Sequence, residues 1–234
     1  METVLSAGLP EVLDESNPSI NLGALYVAPD GIRKYRYARA GAVALTVGTL
    51  LQAPAEDTAD QNIAGTTTAV GATSITTASM TVTANQYTGG YVTVTVTPGL
   101  ATTYRIKGHA AYTGAAATFN LEEPIRVALN STSRLDFIPN PYNGVIVAPT
   151  GLSSGVVGFA ANDLAINGYG WIQVAGPGPI TNDAAGALTV GVAVMSSSSV
   201  AGSVRLQTAG NAIVARALTG IASGEVGLAY ISLE

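Results

Sequence analysis

Tyr91-Val92-Thr93-Val94-Thr95-Val96-Thr97 alternates with period two, valines on one side and threonines on the other. Successive side chains of a strand point to opposite faces, so this run reads as a strand with its valines turned to a core. It lies within residues 61–104, a stretch without a charged side chain and rich in Thr, Val, Ala and Gly. Ser74-Ile75-Thr76-Thr77 and Met80-Thr81-Val82-Thr83 read as shorter strands upstream, and Tyr104-Arg105-Ile106-Lys107 and Thr118-Phe119-Asn120-Leu121 alternate downstream. Residues 85–90, Pro98-Gly99 and Asn140-Pro141-Tyr142-Asn143-Gly144 supply the turns.

Val145-Ile146-Val147-Ala148 is the next strand, and residues 149–155 read as a linker or long loop. Short strands are expected at 156–160, 170–174, 190–195, 204–207, 213–217 and 227–232. Gly176-Pro177-Gly178-Pro179 lacks ladder donors, so it reads as a loop or a sheet edge. No segment has the pattern of an amphipathic helix, and β-branched residues and Gly outweigh the strong helix formers. The expected fold class is all-β: short-stranded barrel or sandwich domains with an extended N-terminal arm. The expected division is an arm at 1–32, a β-rich domain at 33–149 and a second, small barrel-like β-rich domain at 150–234.

Ala44-Leu45-Thr46-Val47-Gly48 recurs as Ala187-Leu188-Thr189-Val190-Gly191, each copy followed by a short apolar run. Either the biased composition repeats itself by chance, or both copies turn a corner at Gly and re-enter the sheet of a small barrel.

Composition narrows the function classes. Only 11% of the 234 residues are charged, against a typical ~25%. Hydrophobic residues make up 47% but aromatics 6%, so the apolar content is mostly small side chains. The net charge of -5 argues against a nucleic-acid binder working through a bulk positive field. Absence of cysteine excludes disulfides and thiolate chemistry. No apolar window of ~18 residues is present to cross a bilayer as a helix, so no membrane partner is expected. The first residues carry neither a basic nor an apolar leader pattern, which leads to the expectation of a protein made and kept in a cytoplasm or released by lysis.

Residues 1–32 hold Glu2, Glu11, Asp14, Glu15 and Asp30 and no Lys or Arg, with Pro10, Pro18 and Pro29 as helix breakers. A frayed terminus is the common fate of chain ends, but Val4, Leu5, Leu9, Val12, Leu13, Ile20 and Leu22 are apolar anchors that a free tail does not need, which keeps an extended arm open beside it. Charge then reverses at Arg33, Lys34, Arg36 and Arg39, interleaved with Tyr35 and Tyr37. Basic residues with aromatics suit single-stranded nucleic acid. A strand with solvated charges, neutralised by the acidic arm of its own or a neighbouring chain, is the preferred reading.

Catalytic signals are sparse. The single histidine, His109, follows Gly108 in an expected turn, and no G-x-S-x-G elbow supplies a partner serine. Glu122 and Glu123 are adjacent, so on a strand they diverge, while Asp136, Asp163 and Asp183 are scattered. Glu56-Asp57-Thr58-Ala59-Asp60 and Asn182-Asp183 read as solvated turns rather than cation sites. Gly168-Tyr169-Gly170-Trp171 lacks the third glycine and the helix of a phosphate loop. Trp171 is either a core anchor or an interface anchor. The expectation is a non-enzyme with no cofactor and no small-molecule substrate.

Taken together, Gly168-Tyr169-Gly170-Trp171-Ile172-Gln173-Val174-Ala175-Gly176-Pro177, Gly186-Ala187-Leu188-Thr189-Val190-Gly191, Ala215-Arg216-Ala217-Leu218, Gly224-Glu225-Val226-Gly227-Leu228 and Asn140-Pro141-Tyr142-Asn143-Gly144-Val145 resemble tailed-bacteriophage virion proteins. The resemblance is to their small β-rich capsid decoration, or cement, proteins and is clearest over residues 140–234. It implies binding to the major capsid protein on the outer capsid surface, often as homotrimers, and bracing of capsomers against genome pressure. Residues 1–32 would then reach over neighbouring subunits, with the apolar anchors, Arg33, Lys34, Arg36, Arg39 and Trp171 as the partner interface. A tail or fibre module recognising host glycans near Trp171 or the Tyr residues is the alternative, and a glycan hydrolase built on unrecognised carboxylates is a third.

Overall fold

The computed structural model describes residues 20–208 and 210–234. The chain is all-β, and the only helical element among the described residues is a 3-10 turn at Thr58–Asp60. The described residues divide into two compact units, one formed by residues 20–55 with 141–234 and the other by 56–140. This division cuts across the blocks expected at 33–149 and 150–234. Residues 20–32, expected in the arm, belong to the first unit, where β1 (Leu25–Val27) pairs with β2 (Lys34–Ala40).

The first unit contains a closed five-stranded barrel. β2 is followed around it by β12 (Asn143–Val147), β3 (Leu50–Gln52), β13 (Val156–Ala160) and β14 (Tyr169–Thr181), and β14 pairs back onto β2. A barrel this narrow has little interior volume, and it is filled by Ala38, Ala40, Leu45, Leu51, Val145, Ala160, Leu164 and Ile172. That is one use of the chain's small side chains. Residues 149–155 join two strands of this barrel and are a loop, not a link between domains.

β3 and β12 are antiparallel neighbours, with Leu51 opposite Val147 and Gln52 opposite Ile146. They would form a simple hairpin if residues 56–140 did not lie between them in sequence. The second unit is thus an insertion into a hairpin of the first.

β14 outlasts the barrel. From Ala175 to Thr181 it pairs with β18 (Val226–Ser232), which continues to β17 (Ala215–Ala217), β15 (Ala193–Ser196) and β16 (Val204–Leu206). This sheet curls until the amide of Asp183 donates to Val204 O at 2.8 Å. Its inner face carries Ile180, Val194, Ala215, Ala217, Ala229 and Ile231.

Gly176-Pro177-Gly178-Pro179 is therefore part of a strand. Seven consecutive residue pairs join β14 and β18 across this run. Two prolines two residues apart present their nitrogens to the same side. Among the described residues no strand pairs with 176–180 on the side away from β18, so the missing donors face an open edge. The edge reading holds and the loop reading does not.

The second unit is a six-stranded sheet, in order β4 (Ile63–Ala64), β11 (Arg134–Ile138), β7 (Tyr91–Val96), β8 (Thr103–His109), β10 (Thr118–Leu121) and β5 (Ser74–Thr76). Hydrogen bonds from Thr66 N to Thr76 O and from Ala78 N to Ala64 O bring its two outer strands together. β6 (Met80–Val82) and β9 (Tyr112–Ala115) form a separate ribbon. Val92 and Val94 are buried with Ile75, Ile106, Phe119, Leu135 and Phe137, as the alternation of β7 requires.

One local device recurs in the barrel, beside the β14–β18 sheet and in the second unit. Leu45 and Leu164, Thr68 and Leu129, and Leu188 and Ile221 each exchange two backbone hydrogen bonds of 2.8–3.0 Å. After each of the six residues comes a turn closed by an amide three residues on: Thr49 N to Thr46 O, Ala72 N to Ala69 O, Ser133 N to Asn130 O, Gly168 N to Ala165 O, Val192 N to Thr189 O and Glu225 N to Ala222 O. In five of them the third residue has positive φ: Gly48, Gly71, Asn167, Gly191 and Gly224. A type II turn demands that conformation there. The echo between 44–48 and 187–191 is thus structural: both copies turn at Gly and re-enter a sheet.

Candidate interaction surface

The expected interface residues separate into three groups. Val4, Leu5, Leu9, Val12 and Leu13 lie outside the described residues. Ile20 and Leu22 pack against Tyr26, Ala28, Tyr35, Tyr37, Ala161 and Trp171. The chain runs here along β2, with the Gly23 amide on Tyr37 O at 2.8 Å and the Tyr37 amide on Ala24 O at 3.0 Å. Trp171 is 2% exposed, with its ring centroid 5.2 Å from Tyr37 and 5.7 Å from Tyr26. Within the chain it is a core anchor. Its indole Nε1 is buried without a hydrogen-bond partner. Tyr26, Tyr35 and Tyr37 are buried with it, whereas Tyr91 and Tyr230 are exposed.

The basic cluster is tied to its own unit. Arg33 Nε meets Asp30 Oδ2 at 2.7 Å. Asp30 accepts from the backbone amides of Arg33 and Ile32 and from the Arg33 side chain, which together hold its carboxyl down to about 2. Arg36 reaches Glu234 at 2.8 Å and Gly23 O at 2.9 Å. Arg39 donates to Asn167 Oδ1 at 2.7 Å and lies 6.0 Å from the centre of the Tyr169 ring. Lys34 is half-buried at the start of β2. Asp30, at the end of the expected arm, supplies the intrachain neutralisation expected of acidic residues there. The interleaved Tyr35 and Tyr37 are buried, not offered to solvent.

His109 lies in β8, not in a turn. Its Nε2 accepts the Tyr87 amide at 3.0 Å, and Nδ1 donates to Ala110 O at 2.9 Å, which fixes the neutral tautomer. Burial pushes its proton affinity below the ordinary histidine value. The Tyr87 hydroxyl donates to buried Asp60. Burial raises the Asp60 carboxyl despite that bond, and burial plus the Asp60 contact raise the Tyr87 phenol.

The carboxylates mostly staple loops. Glu122 and Glu123 lie beyond the end of β10, so strand alternation does not separate them. Both converge on Arg105, one at its guanidinium (3.4 Å) and the other at its amide (3.0 Å). Asp136 accepts the Asn62 amide at 2.7 Å and Asp163 the Val47 amide at 2.8 Å. Asp183 is buried and accepts from Ser197 Oγ at 2.6 Å. Asn182 donates to Gly186 O and Ala222 O. Among the described residues no group of three His, Asp or Glu side chains is placed to hold a metal ion. No described helix is long and apolar enough to cross a membrane.

Sequence reasoning missed the apolar side chains that the folded chain leaves in water. Val47, Val70, Ile166 and Val190 occupy the same position in four of the six recurrent turns, at 41–68% exposure. The outer face of the β14–β18–β17 sheet is apolar as well. The available signal was Val226-Gly227-Leu228-Ala229-Tyr230-Ile231, where both alternating sets are apolar and neither is the polar set expected of a solvated face.

Comparison with known protein families, with curated proteins and with solved structures finds no match to this chain.

Proposed function

We propose that this chain is a non-catalytic structural protein of a tailed-phage virion, which binds the outer capsid surface with copies of itself and stabilises it by bridging subunits. The observation that carries the reading is the mount of the N-terminal segment. Ile20 and Leu22 are packed onto the Trp171 cluster, so the residues upstream start from a fixed point on a barrel wall. Those residues include Val4, Leu5, Leu9, Val12 and Leu13, anchors suited to a neighbouring subunit. A stretch of nineteen residues has a maximum reach of roughly 60 Å. The barrel closed on itself leaves few strand edges open to stray pairing, which suits a chain packed among copies of itself. The resemblance over residues 140–234 supplies the capsid as partner.

The test uses particles prepared with and without the protein and with a version lacking residues 1–19. Removal of the whole protein lowers the temperature of genome release. The truncated protein keeps its fold and loses the particle. Equal release temperatures, or undiminished attachment of the truncation, reject the reading.

A further inference from the structure

Arg39 projects from β2 between two side-chain amides. Its guanidinium donates to Asn167 Oδ1 at 2.7 Å and, at a longer 3.4 Å, to Asn143 Oδ1. It is half-buried, and among the described residues it has no carboxylate partner. Each of these asparagines is followed by a glycine, Gly168 or Gly144, and the chain has no other Asn-Gly pair. The fold thus brings both such pairs to one cation.

In an Asn-Gly pair the side-chain amide is open to attack by the next backbone nitrogen, because glycine has no Cβ to shield that nitrogen. The attack closes a succinimide ring. The Gly168 amide gives its proton to solvent, its nitrogen bonds to Asn167 Cγ, and the Cγ–Oδ1 electron pair moves onto Oδ1. The oxyanion so formed lies where Arg39 already donates, and a positioned donor at a developing oxyanion speeds acyl transfer. The bond from Cγ to Nδ2 then breaks, and that nitrogen takes up a proton and leaves as ammonia. Water opens the ring at either carbonyl. The product is aspartate or, with the main chain rerouted through the side chain, isoaspartate.

The two asparagines are not equally placed to react. Asn167 is exposed in a turn, where the Gly168 amide donates to Ala165 O at 2.9 Å. Local opening of that turn bond frees the nucleophile. Asn143 is half-buried at the start of β12, in register with Arg39, and its contact with the guanidinium is the weaker one. Conversion of Asn167 to aspartate gives Arg39 the carboxylate partner it lacks, in a charge-assisted bond.

We infer that Asn167 is a site of self-modification, in which the Gly168 nitrogen displaces the side-chain amide while Arg39 holds the oxyanion, and an aspartate paired to Arg39 is formed. The inference goes beyond the capsid reading, since the reaction needs neither a particle nor a partner.

The full chain is aged in mildly alkaline buffer and sampled by peptide mass mapping, beside the same chain in urea and beside Arg39→Gln and Arg39→Lys. Circular dichroism checks the fold of each variant. In the folded chain, conversion at Asn167 is expected to be at least about tenfold faster than at Asn143, and the two rates to draw level in urea. Arg39→Gln is expected to slow Asn167 by at least about tenfold. Arg39→Lys, which keeps the charge without the planar fork, is expected to slow it less, and reads the effect even where Arg39→Gln does not fold. An Asn167 that stays intact, or that converts no faster than Asn143, overturns the inference. So does a preference for Asn167 that persists in urea, or an unchanged or higher rate at Asn167 in both Arg39 variants. Asn167→Asp stands for the aspartate product and should melt at a higher temperature than the wild type, a gain that Arg39→Gln removes. Absence of that gain overturns the ion pair.

Discussion

His109 carries no proton at Nε2 while that nitrogen accepts the Tyr87 amide, so protonation must break the bond. Its value in the folded chain lies below the ordinary 6.5. As pH falls below about 6.5 the unfolded chain takes up a proton that the folded chain refuses, and stability present above that pH is lost. Asp60 works in the opposite sense. Its carboxyl is raised above 3.8, so the folded chain takes its proton first on acidification and regains some stability there. Urea titrations between pH 7 and 5.5 should show the midpoint moving to lower urea, with the unfolding free energy falling by no more than about 1.4 kcal/mol per pH unit. His109→Gln should flatten that slope and Asp60→Asn should steepen the loss further into acid. A wild-type midpoint that ignores pH in this window counts against the neutral, buried imidazole.

Trp171 offers a second test at this scale. Removing its bulk from the Tyr26–Tyr37 cluster as Trp171→Ala should cost about 3–5 kcal/mol in chemical denaturation. Trp171→Phe keeps a ring and discards an indole N–H that has no partner, so its loss should be well below that of the alanine variant. Equal losses would mean that the indole nitrogen is satisfied.

At the scale of elements, the recurrent turn predicts matched costs. Gly191 has φ +84° and open space around the position of a Cβ, so Gly191→Ala isolates the backbone penalty, about 1 kcal/mol. Gly48, at φ +79° in the matching turn, has only ordinary contacts at 3.4 Å and beyond, and Gly48→Ala should cost a similar amount. Asn167 fills the same position at φ 59° and also accepts from Arg39, so Asn167→Gly relieves the backbone but loses that bond, and Asn167→Ala, which loses both, should cost about 1 kcal/mol more than Asn167→Gly. Thermal melts of the four variants check the set.

The same turn shows how far the sequence could be read. Tyr91–Val96 was legible because one face is buried and period two survives in the residues. The turn was legible only where Ala-Leu-Thr-Val-Gly recurs verbatim. Its other instances share a backbone requirement, met by Asn167 or Gly224 without a common neighbour sequence. Gly176–Pro179 was half legible, since whether a proline breaks a ladder depends on which side the neighbouring strand occupies. Of the surface residues, the mount at Ile20 and Leu22 was visible as apolar anchors. The apolar sheet face was not, because alternation of apolar with apolar hides which side faces water. The partners of Arg33, Arg36 and Arg39 were hidden because Glu234 and Asn167 are distant in sequence.

For the whole molecule, the decisive fact is that residues 56–140 form their own core between two adjacent strands of the barrel. A chain in which a short Asn-Gly turn replaces 56–140 should still fold, because β3 and β12 then form an ordinary hairpin. The separate 56–140 polypeptide should also unfold cooperatively, since its buried cluster from Ile75 to Phe137 is drawn wholly from its own residues. Calorimetry of the two pieces checks both statements, and an unstructured barrel piece would show that the insertion completes the fold.

Pro54 comes close to Gly144 where the chain departs from the barrel and returns. Such a doorway is indifferent to what stands behind it. Any polypeptide whose own beginning and end lie side by side can be spliced in there without changing one residue of the barrel's lining. Descendants of this chain are therefore free to trade that cargo wholesale while keeping the same chassis.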